Sequence, residues 1–480
     1  MKTYQDLLEL NGNEEQVKDF ILATINDYKS GELYKQAITG EAYDRQQNTT
    51  IMRYQKLLYT VSGQAIPDSF SAQHKLPSNY YRKFNVQENQ YLLGNGVIFE
   101  NEKTAEKLGT QRYSFDTQVQ KLGKKALTHG VSYGFFNLDH VEVFSALEFA
   151  PLVDEEDGAL KAGIRFWQIA DNKPLRATLY ELDGYTEYIR KPKEGATLEV
   201  LHPKRTYKIS TRSSIVDGTE IYDYENYPDF PIVPLWGNQD HVCNIVAWQP
   251  KIDCYDLIES GFANDVDDAS LLYWTITNCG GMDDVDLAQF IQRMKTTHAV
   301  VVDSDGGASV ESHTQDVPVS ARQTYLEMLN RDIIRDAMAL DTDAIANGNT
   351  VATAIRAAYE PLNNKTDDFE YCVIEFIQGI LSLAGIEDNP TFKRSTIINQ
   401  TEETNMILAA AQYLDTETIL KHLPFISVDE VENILDNLTV EEANRYMNAE
   451  PETEDEQEQI DAEQSEDANG QRAFEDGEEA

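Results

Sequence analysis

Apolar residues recur three and four apart between Glu14 and Lys29, where Val17, Phe20, Ile21 and Ile25 stand among charges, so the spacing predicts an amphipathic helix. A further helix carrying Val86, Tyr91 and Leu92 is expected ahead of the Gly94-Asn95-Gly96 break, and another from Asp116 to Thr128, stopped by His129-Gly130. From Val131 the period changes. Aromatic and β-branched residues mix with turn formers as far as Phe144, and from Ala162 to about Trp236 runs such as IRFWQI, RATLYELD and YKISTR recur between Gly, Asp, Asn and Pro. This is the pattern of an antiparallel β region; it closes with PDFPIVPLWGN, whose prolines suit an edge strand.

Helical spacing returns after Pro250. Across residues 251–274, Ile252, Tyr255, Ile258, Phe262, Val266 and Ala269 form an apolar stripe, while Asp253, Asp256, Glu259, Asp265, Asp267 and Asp268 crowd the remainder. A small βαβ or αβ insertion is expected next, with a helical pattern at Asp286–Lys295 and a strand-like HAVVVD at His298–Asp303. A second long helix is predicted from about Pro318 to Leu340, with Leu326, Leu329, Ile333 and Met338 on its apolar side. Polar DTDAIANGNT breaks it, and a helical pattern then extends from Thr350 to about Ala384 around Pro361. A proline there removes one ladder hydrogen bond, which fits either a kinked helix or two successive ones. A strand-like Phe392–Ile398 follows, then short helices whose starts are marked by Thr401, Asp415, Ser427 and Thr439.

Charge changes this picture in two places. From Glu450 onward fourteen acids face one Arg with almost no apolar residues, a composition expected to be disordered. Over all 480 residues the formal charge is −43, which argues against any surface that wraps phosphate backbones. Cys243, Cys254, Cys279 and Cys372 are scattered, with no CxxC pair and no His cluster at ligand spacing, so neither a disulfide framework nor a metal site is indicated. A reducing cytoplasm suits them. The first residues lack the apolar core of a signal peptide, and no run approaches the ~18 apolar residues of a membrane span.

No catalytic signature stands out. Gly123-Lys124 lacks the earlier glycine and the following Ser or Thr of a phosphate loop, and neither HExxH nor GxSxG occurs. His129 and His140 flank an aromatic run without acids or Cys at a telling spacing. Paired carboxylates and a Tyr-rich β region leave a carbohydrate-active enzyme or glycan-binding protein as an alternative, but acids are so abundant that two together mean little.

The order of segments, an α/β body, a long acidic helix, a small insertion, a second long helix, a polar loop, a proline-bearing helix and a helical cap, is similar to siphophage-type portal proteins of tailed double-stranded DNA bacteriophages. The match is carried by KALTHGVSYGFFNLD at Lys125–Asp139, by PIVPLWGN at Pro231–Asn238 followed by CYDLIESGFANDVDDAS at Cys254–Ser270, and by NGNTVATAIRAAYEPLNNKTDDFE at Asn347–Glu370. TETILKHLPFISVDEVE at Thr416–Glu432 resembles the family's segment before the C-terminus.

The resemblance implies an α+β portal fold and a ring of twelve subunits at one capsid vertex. It places a wing at 1–250 and 351–400, stem helices at 251–274 and 317–340, a clip at 275–316, a crown at 401–447 and the acidic tail at 448–480. The loop Asp341, Thr342, Asp343, Asn347, Gly348 and Asn349 would face DNA at the narrowest part of the channel. Asp253, Asp256, Glu259, Asp265, Asp267 and Asp268 are candidates for the channel wall, against the plainer reading of a solvated helix face, and Pro361 would bend its helix over the wing. Apolar stripes on the stem would pack against neighbouring subunits. Implied partners are further copies of the chain, double-stranded DNA passing without sequence-specific binding, the terminase large subunit, the major capsid and scaffolding proteins and a head-tail adaptor. The implied location is the virion, after assembly in the host cytoplasm. Neither cofactor nor metal nor catalytic residue is implied. A different phage ring or capsid component is the nearest alternative.

Overall fold

The computed structural model describes residues 2–59, 62–68, 71–101, 103–213, 220–269, 273–277, 309–313, 318–342 and 352–395, with shorter stretches at 288–289, 292, 404, 407–423, 426, 431 and 434–440. Two compact units divide the chain at Ser395/Thr396.

In the first unit, α1 (Tyr4–Glu9) opens with a capping box between Thr3 and Asp6. Asn13 caps α2 (Glu14–Ser30), which buries Val17, Phe20, Ile21 and Ile25 as the spacing predicts. This face packs with Leu152, Ile164, Phe166 and Leu179 of the larger sheet. Each such side chain, fully buried, contributes about 1.5–3 kcal/mol. Next come α3 (Glu32–Asp44), α4 (Thr49–Arg53) and a hairpin of β1 (Leu57–Tyr59) and β2 (Ala65–Pro67). After it come α5 (Tyr80–Leu93), β3 (Ile98–Phe99), α6 (Thr104–Lys107) and α7 (Phe115–His129). Gly130, at φ 87°, ends α7 in the conformation that favours glycine, where the sequence placed the stop.

The β region is antiparallel throughout. Strands β4 (Val131–Asn137) and β5 (His140–Ser145) form a three-stranded sheet with the later β13 (Ile232–Trp236), which returns to pair along β4 as an edge strand. Strands β6 (Phe149–Val153), β7 (Leu160–Trp167), β8 (Leu175–Glu181), β9 (Gly184–Arg190) and β10 (Glu199–Arg205) make a five-stranded meander. A separate hairpin pairs β11 (Lys208–Ser213) with β12 (Glu220–Glu225).

Strand β4 is buried from Val131 to Phe136 because both its faces are covered. Ser132 and Gly134 point one way: Ser132 donates to the Leu122 carbonyl of α7, and Gly134 lies under Phe376. Tyr133 and Phe135 point the other way, onto Phe149 and Tyr180 at ring distances of 4.5 and 5.3 Å. Tyr180, Tyr188, Tyr207 and Tyr227 are likewise buried, so these tyrosines are core and do not line an open cleft.

Beyond the sheets run α8 (Ile245–Ala269), an antiparallel pair β14 (Tyr273–Thr277) and β15 (Ser309–His313), α9 (Val319–Asp336) and α10 (Ala352–Ala384). Strand β16 (Pro390–Thr391) pairs with β3. In the second unit, Asp415 caps α11 (Thr416–His422), accepting from the Thr418 amide as predicted.

Several boundaries differ from expectation. α8 begins at Ile245, five residues before Pro250, because Ile245, Trp248 and Ile252 are drawn into a core with Tyr81 and Phe84. That burial offsets the one ladder bond the proline forfeits. Tyr273 and Trp274, expected at the end of this helix, lie in β14. α9 ends at Asp336, and Met338, at φ 49°, is exposed and does not belong to its apolar side. α10 is continuous through Pro361, with Tyr359 and Leu362 buried on either side of it. The strand expected at Phe392–Ile398 is the two-residue β16 just before it. Thr439 lies inside a helical stretch over 434–440, its hydroxyl donating back to the Leu435 and Asp436 carbonyls, and does not start one. His298–Asp303, Thr401, Ser427 and the acidic tail lie outside the described residues, as does most of the helical pattern at 286–295.

Candidate functional site

The two helices assigned to the stem run antiparallel, because Lys251 near the start of α8 pairs with Asp336 at the end of α9, and Asp265 near the end of α8 pairs with Arg322 near the start of α9. Between these ion pairs Tyr80 of α5 is wedged against both helices. Its hydroxyl donates to Asn330 at 2.7 Å, and its ring meets Tyr255 edge-on at 5.2 Å. Phe262 and Leu326 line a cleft between the helices beside it. Ile252, with Ile333 and Ile334 of α9 and Ala337 just past its end, belongs to the core around Trp248, so this part of the apolar stripe is spent within the chain.

The acidic stripe of α8 has partners that sequence reasoning did not foresee. Residues 72–79 cross the helix without regular secondary structure, and three alternate amides point at it. Ser78 N–H donates to Asp256 Oδ1 at 2.9 Å, Leu76 N–H to Ser260 Oγ at 3.0 Å and His74 N–H to Asn264 Oδ1 at 2.6 Å. An extended chain turns every second amide to one side, about 6.6 Å apart, and side chains four residues apart on a helix rise about 6.0 Å. The two spacings match closely enough for three rungs. The His74 ring completes the strap on Asp267.

Asp256 is therefore wholly buried and does not belong to a channel surface. Burial, outweighing the bonds from Ser78 and Asn48, pushes its carboxyl above the ordinary aspartate range. Asp253 accepts from Thr50 Oγ1 at 2.7 Å and from the Tyr43 hydroxyl, whose pKa is pushed up to about 12 by burial and by that carboxylate. Asp265 is held by Arg322. Glu259 is raised by partial burial and by neighbouring Asp256. The side chain of Asp268 lies outside the described residues. Four of the six acids thus serve contacts within the chain, because acids four apart suit a strap as well as a channel wall.

Of the polar loop, Asp341 and Thr342 are described, whereas Asp343, Asn347, Gly348 and Asn349 lie outside the described residues. Its two ends converge on α5. Gln87 brackets Leu340, accepting from its N–H at 3.0 Å and donating to its carbonyl at 3.2 Å. On the far side of the loop, Tyr359 stacks on Tyr91 at 5.6 Å, and Leu340, Tyr359 and Leu362 share one buried cluster with it. Neither Gln87 nor the strap carried a sequence signal, since one partner in each of these bonds is a backbone group that any residue supplies.

His129, given no chemistry from sequence, is buried at the end of α7, with Nε2 2.7 Å from Glu41. Lys125 and Arg45 reach the same carboxylate. Among the described residues no group of three or more His, Cys, Asp or Glu could hold a metal ion, and no helix is long and apolar enough to cross a membrane.

The family model for phage portal protein, SPP1 Gp6-like, matches residues 34–470. The portal protein of Clostridium phage phiCD119 is 22% identical over 395 residues, covering 76% of this chain and 84% of that protein. The portal protein of Bacillus phage SPP1 is 22% identical over 422 residues, covering 80% and 79%. Among solved structures, the neck of the native GTA particle computed with C12 symmetry covers 72% of this chain and 90% of that chain, at 11% identity and a TM-score of 0.41. Because the family match runs from α3 past α11 and takes in the helix pair, its hairpin and the loop on α5, the chain belongs to the SPP1 Gp6-like family of phage portal proteins.

Proposed function

We propose that this portal protein forms a closed ring of twelve subunits at one vertex of the virion, whose channel passes double-stranded DNA during packaging and ejection. The observation that carries this reading is the antiparallel pair α8 and α9, tied at both ends by ion pairs and joined through β14 and β15. Two rods clamped in this way make a stiff wall element, and a heterologous interface between such elements closes into a ring when its rotation does.

In this assignment α8 and α9 are the stem, residues 275–316 the clip, residues 341–350 the tunnel loop, 1–250 and 351–400 the wing and 401–447 the crown. Glu259, Asp268, Asp341 and Asp343 are the acids left to face the channel, where they repel phosphate within a screening length of ~8 Å and let the duplex slide. Asn347 and Asn349 would offer weak, sequence-blind contacts. The clip receives the terminase large subunit and later a head-tail adaptor, while the wing meets the major capsid and scaffolding proteins. The portal family is structural, and we assign the chain no catalytic step.

Light scattering and negative-stain images of the purified chain test the reading. A particle of roughly 650 kDa with a central hole is expected for twelve closed copies of the 54.4 kDa chain. A stable monomer at high concentration would overturn it.

A further inference from the structure

The β1–β2 hairpin leaves its large apolar side chains in solvent. Leu58 and Ile66 face each other across the ladder on one side, and Leu57 and Tyr59 take the other. Their exposures are 40, 41, 50 and 73%. Met52 and Tyr54, just before the hairpin, are also exposed. A two-stranded hairpin is at best marginally stable alone in water, and contiguous exposed apolar surface of this kind marks a contact site. Both faces are apolar, so the hairpin is suited to insertion between two surfaces more than to lying on one.

Its root is held firmly. The Asp68 amide donates to the Lys56 carbonyl at 2.9 Å, the Lys75 ammonium reaches the Met52 carbonyl, and Thr50 just upstream is bonded to Asp253 of α8. The strap on α8 begins a few residues downstream. The hairpin thus leaves from the side of α8 with both of its ends anchored to that helix.

Charge selects the occupant. Residues 51–67 contain Arg53 and Lys56 and not one acid, within a chain whose net charge is −43. A cationic, apolar arm on a strongly acidic molecule is complementary to another copy of that molecule. We infer that the β1–β2 hairpin is an arm that inserts into the neighbouring subunit beside its stem, so that each copy clasps the next. The clasp rests on the ring proposed above. Four large apolar side chains on so short a hairpin favour protein over a nucleic acid backbone, which would call for more cations and fewer leucines.

The experiment uses the full chain, purified free of DNA. Tyr59→p-benzoylphenylalanine is irradiated, and the cross-linked peptides are mapped by mass spectrometry; in parallel, Leu58→Asp/Ile66→Asp is sized by light scattering with its helicity checked by circular dichroism. The clasp predicts covalent dimers and higher ladders from the first variant, and at least a tenfold loss of ring at equal concentration from a folded second variant. Rings of the wild-type chain accompanied by cross-links only within one chain, or only when duplex DNA is added, would overturn the clasp and leave the ring standing. A second variant that fails to fold leaves the cross-link map to decide. A wild-type chain that never leaves the monomer removes the ring and the clasp together.

Discussion

Lys365 of α10 places its ammonium 2.6 Å from the carboxylate of Glu88 on α5, and both side chains are almost entirely removed from solvent. The same ammonium lies 4.5 Å from the ring centre of Trp248 on α8, so three helices meet at one buried charge pair. Burial pushes the Glu88 carboxyl above the ordinary glutamate range even though Lys365 pulls it down. Lys365→Met leaves that carboxyl without compensation and is expected to cost about 3–5 kcal/mol, read by urea unfolding at pH 8. A carboxyl raised in the folded state binds its proton more readily there, so its contribution to stability improves as pH falls. The deficit of Lys365→Met against wild type should therefore shrink between pH 8 and pH 5, and Glu88→Gln added to it should restore part of the loss. A deficit that stays constant with pH would show that packing, not charge, is what the variant removed.

The strap makes a different demand. Asp256→Ala removes the acceptor of the Ser78 amide in a buried position, a loss of about 1–3 kcal/mol. Asp256→Asn keeps an oxygen acceptor and should lose less. Hydrogen exchange of the amides of His74, Leu76 and Ser78 in the Ala variant should speed up by about tenfold for each 1.4 kcal/mol of local opening. Unchanged protection there would separate Asp256 from the strap.

Glu41 gathers the ring of His129 with Lys125 and Arg45, and the bond from His129 above all holds its carboxyl well below the usual range. His129 is itself lowered by burial, against the upward pull of Glu41. A depressed carboxyl stabilises fully above its unfolded value, near 4.5, and loses that contribution as pH falls toward the folded one. Glu41→Gln is thus expected to be less stable than wild type at pH 7 and to approach it by pH 3, measured as thermal midpoints of the two proteins at matched salt.

Gly134 tests the seating of α10 on the small sheet. A Cβ there would stand 2.6 Å from the Phe376 ring, too close for either to keep its place. Gly134→Val should cost about 1–3 kcal/mol or more by overpacking, and Phe376→Leu should recover part of it in the double variant. Simple additivity of the two changes would contradict the contact.

Much of this architecture is legible in the chain itself. The stop of α7 at Gly130, the strand-rich stretch to Trp236 and the cap at Asp415 follow from backbone preference and alternation, which act locally. Pro250 misled because tertiary burial of Trp248 and Ile252 decides where α8 starts, and no local rule sees that burial. The acids of α8 misled for a related reason: their spacing is plain, but a helical stripe does not say whether it meets water, DNA or the amides of residues 74–78. Thr439 shows the same ambiguity on a smaller scale, since a threonine that can cap a helix can equally donate back to carbonyls four residues earlier.

The strap and α8 behave as the two scales of a vernier. Their marks are about 6.6 and 6.0 Å apart, so the offset grows by about 0.6 Å per rung, and coincidence is exhausted after a few. Sliding the strap by one rung would break all three bonds before any could re-form, and intermediate positions satisfy none. The point at which residue 74 leaves the helix is thereby indexed to a particular turn of α8, and every copy of the chain carries the segment upstream of it at the same height along that helix.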